Sequence, residues 1–189
     1  MNINIIVAYC KNRGIGLNNN MPWKIKSDLK KFYKLTKGNG NNAVIMGKNT
    51  WNSLKCNPLK LRDNLIISSS LNFEKIHLNN ETVKTFNSIE NILLYCDNKK
   101  YDNIWIIGGE KIYSTFLTYN SNIINKIYVT ELDNNYNCDT FFPEINNNFK
   151  CIQKKTHLLD KNYNEFNEMI IHDVWDKIYE NINIHSMSK

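Results

Sequence analysis

The chain has 189 residues, 42% of them apolar and 12% aromatic, which suits one domain with a single core, at most one domain plus a tail. Its longest apolar runs, such as Ile104-Trp105-Ile106-Ile107, are strand-sized, and residues 1–4 carry no secretory pattern, so a cytoplasmic protein without a membrane span is expected. The net charge of +6 comes from lysines spread over the whole chain, which argues against a nucleic-acid-binding stripe and suits polyanionic small ligands equally well.

Residues 3–9 are a β-branched apolar run and read as a buried strand. A loop rich in Gly and Asn follows over 11–23. Ser27 is then placed to cap a helix through about residue 37, with Leu29, Phe32, Tyr33 and Leu35 on adjacent turns. After the polar stretch 38–42, residues 43–46 form a second strand that runs into Gly47 and a short helix over 50–54. Residues 65–67 are a third strand. Asn87, with Glu90 three positions on, has the arrangement of a capping box and opens another helix. Strand 103–107 meets Gly108-Gly109, and a helix runs from 110 to about 117. Further strands are expected at 124–130, 149–157 and 166–174, the last two joined by a turn at 160–164. Strands alternating with helices imply an α/β fold: a predominantly parallel central sheet, helices on both faces, and an antiparallel C-terminal hairpin on its edge. Residues 1–175 are read as one domain, and 176–189 as a tail, either a frayed terminus or the start of a linker.

Cys10, Cys56, Cys96, Cys138 and Cys151 are odd in number and never in a C-x-x-C pair, so each is expected to be a small buried apolar residue, outside any disulfide framework or zinc site. The four histidines are equally dispersed, and no metal is expected. Asparagine fills 34 positions, often in runs, which reads as genomic bias and lowers the weight of any single Asn.

Three segments carry chemistry. Gly14-Ile15-Gly16 begins like a dinucleotide fingerprint, but Asn19 stands where a third glycine is required and no helix starts there. It is followed by Met21-Pro22-Trp23 and then Asp28. Next, Val44-Ile45-Met46-Gly47-Lys48-Asn49-Thr50-Trp51 is a strand, a glycine open to close backbone approach, a cation and a helix start, which together make a phosphate site. Finally, Ile106-Ile107-Gly108-Gly109-Glu110-Lys111-Ile112-Tyr113 places two glycines between a buried strand and a helix. With Pro58-Leu59, Arg62-Asp63-Asn64, Ser68-Ser69-Ser70, Thr130 and Asp139-Thr140 with Phe142-Pro143, these segments resemble, in order and spacing, the dihydrofolate reductases.

That resemblance implies a single-domain dihydrofolate-reductase-like fold and reduction of dihydrofolate to tetrahydrofolate by NADPH, with hydride reaching C6 and a proton reaching N5. Asp28 would orient and polarise the pterin, supported by Thr130, while water supplies the proton. Trp23 would hold an ordered water, and Tyr113 would sit against the nicotinamide. Ile6, Val7, Leu29, Phe32, Leu54, Leu59 and Ile107 would wall the substrate. Arg62 would grip the glutamate carboxylate through its planar fork. Ala8, Ile15, Gly16, Asn19, Gly47, Lys48, Asn49, Thr50, Ser68, Ser69, Gly108, Gly109, Glu110, Lys111, Ile112 and Tyr113 would bind the cofactor, with Lys48, Ser69 and Lys111 meeting its 2′-phosphate. The loop 14–20 would be a lid, and the Gly-Gly bond cis. The resemblance also implies a monomer, or one part of a thymidylate synthase fusion.

The sequence departs from the family at three points. No arginine accompanies Ser69 and Ser70, Cys56-Asn57 lacks a basic rim residue, and position 28 carries Asp, as in microbial and protist-type enzymes. A riboflavin-pathway reductase shares the architecture but gives no reason for a pterin-binding Asp after Pro-Trp. A nucleic-acid-binding module would need clustered cations beside exposed aromatics.

Overall fold

The computed structural model describes residues 1–69, 81–163 and 169–184, with backbone alone for 156–163 and 169–173. In chain order the elements are β1 (Asn2–Cys10), β2 (Gly14–Gly16), α1 (Lys26–Lys37), β3 (Asn42–Gly47), α2 (Lys48–Ser53), β4 (Asp63–Ile67) and β5 (Val83–Phe86). They continue with α3 (Ile89–Lys99), β6 (Asn103–Gly108), α4 (Glu110–Tyr119), β7 (Ile124–Leu132), β8 (Thr140–Phe141), β9 (Phe149–Tyr163) and β10 (Met169–Asn181). Eight strands form one sheet in the order β5-β4-β3-β6-β1-β7-β10-β9, and β2 pairs with β8 in a small second sheet. Every pair from β5 to β7 is parallel; β10 runs antiparallel to both β7 and β9.

A parallel sheet covered on both faces needs strands that are near-continuous apolar runs, and β1 from Ile5 on and β3 from Ala43 on are such runs. Alternation along β1 divides the core in two. Ile3, Ile5, Val7 and Tyr9 pack with Ile92 of α3 and Phe116 of α4, whereas Ile6 joins Phe32 of α1 and Trp51 of α2 on the other face. Each fully buried side chain of this size contributes about 2 kcal/mol of transfer free energy, so together they fix which helices cover which face.

Several local expectations are corrected. Helix α1 begins at Lys26 with Ile25 at the N-cap, so Ser27 lies inside its first turn rather than capping it. Ser88, not Asn87, caps α3, accepting from the Asn91 amide at 3.2 Å. Strand β10 continues to Asn181, so the boundary expected at 175 falls inside a paired strand. Strand β9 also continues to Tyr163, through residues expected to turn, while 164–168, 185–189 and Ser70 lie outside the described residues. Two cysteines, Cys56 and Cys151, are exposed rather than buried, and all five are free thiols.

Asparagine proves structurally active at buried positions. Asn42 donates to Thr36 O at 3.1 Å and accepts from the Asn103 amide at 3.1 Å, joining the end of α1 to the start of β6. Asn64 bonds both backbone groups of Leu59, and Asn181 donates to Ser121 O and Ile124 O at 2.8 and 2.9 Å. Buried amides are stabilised when their donors and acceptors are matched, as these are.

Candidate active site

A cleft of about 1420 Å³ opens where the C-terminal ends of β1, β3, β4 and β6 meet the loops that follow them. This is where open α/β sheets bind ligands, because successive connections diverge there and leave a crevice. Ile6, Val7 and Ala8 of β1 form its floor, with Ile107 of β6 beside them.

On one side stands α1. Asp28 lies in its first turn and lines the cleft with Leu29 and Phe32, while Leu54 and Leu59 add apolar wall. Farther out, Arg62 is 5% exposed yet lines the cleft. Its Nε donates to Lys60 O at 3.0 Å, its Nη1 donates to the Thr36 hydroxyl, and the guanidinium lies 5.1 Å from the Tyr33 ring centroid. Three constraints fix the plane of the fork, which is what bidentate carboxylate binding needs. Burial lowers the Arg62 pKa from its ordinary value, and Tyr33 acts in the opposite direction.

On the other side, β6 ends in a cis Gly108–Gly109 peptide before α4 begins. Gly108 has φ of 100°, and a Cβ there would lie 2.6 Å from the Tyr113 ring, so both backbone and space demand glycine. Tyr113 lines the cleft, donates to Ile6 O at 2.9 Å and meets Phe142 edge-on at 4.9 Å. Burial pushes its phenol pKa up, and the Asp28 carboxylate adds to the rise, so Asp28 and Tyr113 are electrostatically linked. Gly47, Lys48, Asn49 and Thr50 line the neighbouring wall with Gly109, Glu110, Lys111 and Ile112; Ser68 and Ser69 follow at the end of β4. Glu110, an acid at this helix start, accepts from the Phe141 amide at 3.2 Å.

The segment 14–20 crosses the cleft mouth, where Ile15, Gly16 and Asn19 join the lining. Leu17 and Asn20 exchange backbone hydrogen bonds at 2.8 and 2.9 Å around Asn18 and Asn19, whose φ values are 50° and 60°. Two adjacent left-handed residues make the tight turn that Asn tolerates. The turn is tied down by Asp139, whose carboxylate accepts from the Asn18 amide at 2.8 Å, and by the Asp139 amide, which donates to Gly16 O at 2.9 Å.

Three expected site residues stand behind the lining rather than in it: Trp23, Thr130 and Gly108. Trp23 is 7% exposed, packs on Tyr136 at 5.2 Å, and its Nε1 has no hydrogen-bond partner among the described residues. The Thr130 hydroxyl meets Lys31 at 3.0 Å and Asp176 at 3.4 Å, a cluster that sequence reasoning missed. Lys31 and Asp176 form a largely buried ion pair at 2.5 Å. Also missed were Tyr33, Asn87, Ser88, Glu90, Thr115 and Tyr119, all of which line the cleft. Tyr33 carried a signal, four residues beyond Leu29 on the same helix face; the others did not.

Among the described residues no group of three or more His, Cys, Asp or Glu is placed to hold a metal, and no helix is long and apolar enough to cross a membrane.

The family model described as "Dihydrofolate reductase" matches residues 2–172. A protein named dihydrofolate reductase from Buchnera aphidicola subsp. Schizaphis graminum is 39% identical over 165 residues, covering 86% of this chain and 92% of its own. The Heliothis virescens dihydrofolate reductase is 32% identical over 166 residues (84% and 85%), and the viral dihydrofolate reductase of Saimiriine herpesvirus 2 is 37% identical over 158 residues (79% and 73%).

Proposed function

The chain belongs to the dihydrofolate reductase family, and from that premise we propose that it is an NADPH-dependent enzyme whose cleft stacks the nicotinamide against the pterin beside Asp28. As an oxidoreductase of this family it reduces dihydrofolate to tetrahydrofolate. The observation that carries the reading is one cleft with Asp28 on its α1 wall and the Gly109–Tyr113 segment on the opposite wall, close enough that Asp28 raises the Tyr113 pKa.

The cofactor fits the second wall. Gly109 contributes bare backbone, and a Cβ there would meet the Thr50 hydroxyl at 3.4 Å and narrow the groove. Gly109 caps α4, whose N-terminal end favours a phosphate, while Lys48 and Lys111 supply charge. Glu110 would repel a phosphate, but its bond to the Phe141 amide accounts for its carboxylate. Lys48, Ser69 and Lys111 would favour the 2′-phosphate form. When bound, reduced nicotinamide supplies the hydride that C6 accepts.

The remaining work falls to side chains. Asp28 would accept hydrogen bonds from the pterin's 2-amino group and ring N–H, fixing the ring plane and drawing charge toward that edge. Ile6, Val7, Phe32, Leu54 and Ile107 would exclude water from the stacked rings. Trp23 would present its buried Nε1–H to the water that delivers the N5 proton, since a carboxylate on the 2-amino edge does not reach N5. Arg62 would hold the glutamate carboxylate, and the 14–20 segment, anchored to Asp139, would be the lid. The domain would extend through Asn181. Dihydrofolate and NADPH are its proposed small-molecule partners, bound by a cytoplasmic monomer.

The test follows loss of reduced-nicotinamide absorbance with dihydrofolate for the native chain and for Asp28→Asn. Rapid loss that falls about a hundredfold or more in the variant is expected, since a positioning and polarising group is removed. An undiminished variant rate would overturn the role given to Asp28. Equal kcat/KM for NADH and NADPH would overturn the 2′-phosphate assignment.

A further inference from the structure

Cys10 ends β1 and Cys138 lies just before β8, 128 residues apart in sequence, yet their Sγ atoms are 3.9 Å apart. Both thiols press on the root of the 14–20 segment: a Cβ on Gly14 would lie 2.6 Å from Cys138 Sγ and 3.0 Å from Cys10 Sγ. The residue after Cys138 is Asp139, which holds the turn through the Asn18 amide and Gly16 O. As residues, Cys138 is half-buried and Cys10 is buried. A disulfide bond of about 2 Å requires the two sulfurs to approach from their present 3.9 Å.

We propose that Cys10 and Cys138 are a dithiol site that a small-molecule disulfide converts into an internal disulfide, and that the new bond holds the 14–20 segment closed and slows turnover. The Cys138 thiolate attacks one sulfur of oxidised glutathione, expelling one glutathione thiolate and leaving a mixed disulfide. The Cys10 thiolate then attacks the Cys138 sulfur and releases the second glutathione thiolate. The protein loses two electrons and two protons, and two glutathione thiols are formed. Thioredoxin-type dithiols reverse the reaction. Burial, with Cys10 adding to it, raises the Cys138 pKa to about 11, so the reactive thiolate is scarce near neutrality. Oxidation should therefore accelerate about tenfold for each pH unit between 7 and 9.

The dithiol chemistry stands apart from the proposed function; its effect on turnover rests on it. Cys56 and Cys151 are exposed and would also react, so the test uses full-length protein carrying Cys56→Ser and Cys151→Ser. Neither residue belongs to the catalytic or binding machinery. The protein is incubated with oxidised glutathione, then read by intact mass, by peptide mapping, by hydrogen exchange at the Asn18 amide, and by turnover. Expected are loss of two hydrogens, a linked Cys10–Cys138 peptide, slower exchange at Asn18, and a fall in kcat of about threefold or more that dithiothreitol reverses. Adding Cys10→Ser should stop the sequence at a stable glutathionyl adduct on Cys138. A persistent adduct with Cys10 present, or no modification of Cys138, would overturn the site. A formed disulfide with unchanged exchange and turnover would overturn its control of the lid. Mass and exchange read the site even if dihydrofolate is not turned over, so failure here is separable from failure of the enzymatic reading.

Discussion

Two adjacent glycines should respond to the same substitution in opposite ways. At Gly108, alanine meets two costs. Its φ of 100° lies where an L side chain is strained by about 1–3 kcal/mol, and its Cβ would sit 2.6, 2.8 and 3.0 Å from Tyr113 Cε2, Cζ and Oη. Tyr113 is poorly placed to yield, because it is buried, packs against Phe142 and is anchored to Ile6 O. Overpacking of this kind costs about 1–3 kcal/mol, so Gly108→Ala should destabilise the fold by about 2–6 kcal/mol. At Gly109 the φ of −81° suits any residue and the nearest atom is Thr50 Oγ1 at 3.4 Å, an ordinary contact. Gly109→Ala should therefore cost about 1 kcal/mol or less in stability while crowding the groove, raising KM for NADPH about tenfold or more. Urea unfolding followed by tryptophan fluorescence, with initial rates on the same preparations, separates the two. Equal destabilisation by both variants would refute the assignment of Gly108 to the scaffold and Gly109 to the cleft.

Removing the Lys31 ammonium takes from Asp176 its 2.5 Å ion-pair partner, so Lys31→Met should destabilise by about 2–4 kcal/mol. Lys31→Met/Asp176→Leu should recover most of that in urea midpoints, and a double variant as weak as the sum of the single ones would refute the pairing. Burial raises the Cys96 thiol pKa to about 12 in the fold. The unfolded thiol ionises near its ordinary value, so this contribution to stability is complete below about pH 9 and is lost as pH rises toward 12. Native protein should thus lose stability more steeply above pH 9 than Cys96→Ala does, measured by urea midpoints across that range.

The parallel half of the sheet was legible because strands buried on both faces read as near-continuous apolar runs, and residues 5–9, 43–46 and 104–107 are such runs. Strand β5 was missed because Val83-Lys84-Thr85-Phe86 is only four residues long and half polar. Helix starts shifted by a residue or two: Ile25 precedes α1 through burial rather than capping, and Ser88 outcompeted its neighbour Asn87 at α3. The candidate site was legible where it lies at strand ends, since glycines there report close backbone approach. The Lys31–Asp176 pair was not, because it spans 145 residues and exists only once β10 lies beside β7. Asn42, Asn64 and Asn181 were hidden differently, by a composition so rich in asparagine that three structural ones looked like background.

Strand order carries a consequence for synthesis. Among the described residues β9 pairs only with β10, and β10 is the strand that joins β9 to β7, although it comes last of these in the chain. While the ribosome is still making β10, the parallel half can already collapse around α1 to α4, but β7 presents a bare edge and β9 has no neighbour. That interval is the nascent chain's most aggregation-prone stage, with open strand edges waiting for distant sequence. Translation speed through 169–181 should consequently govern the yield of soluble protein more than speed through any earlier strand.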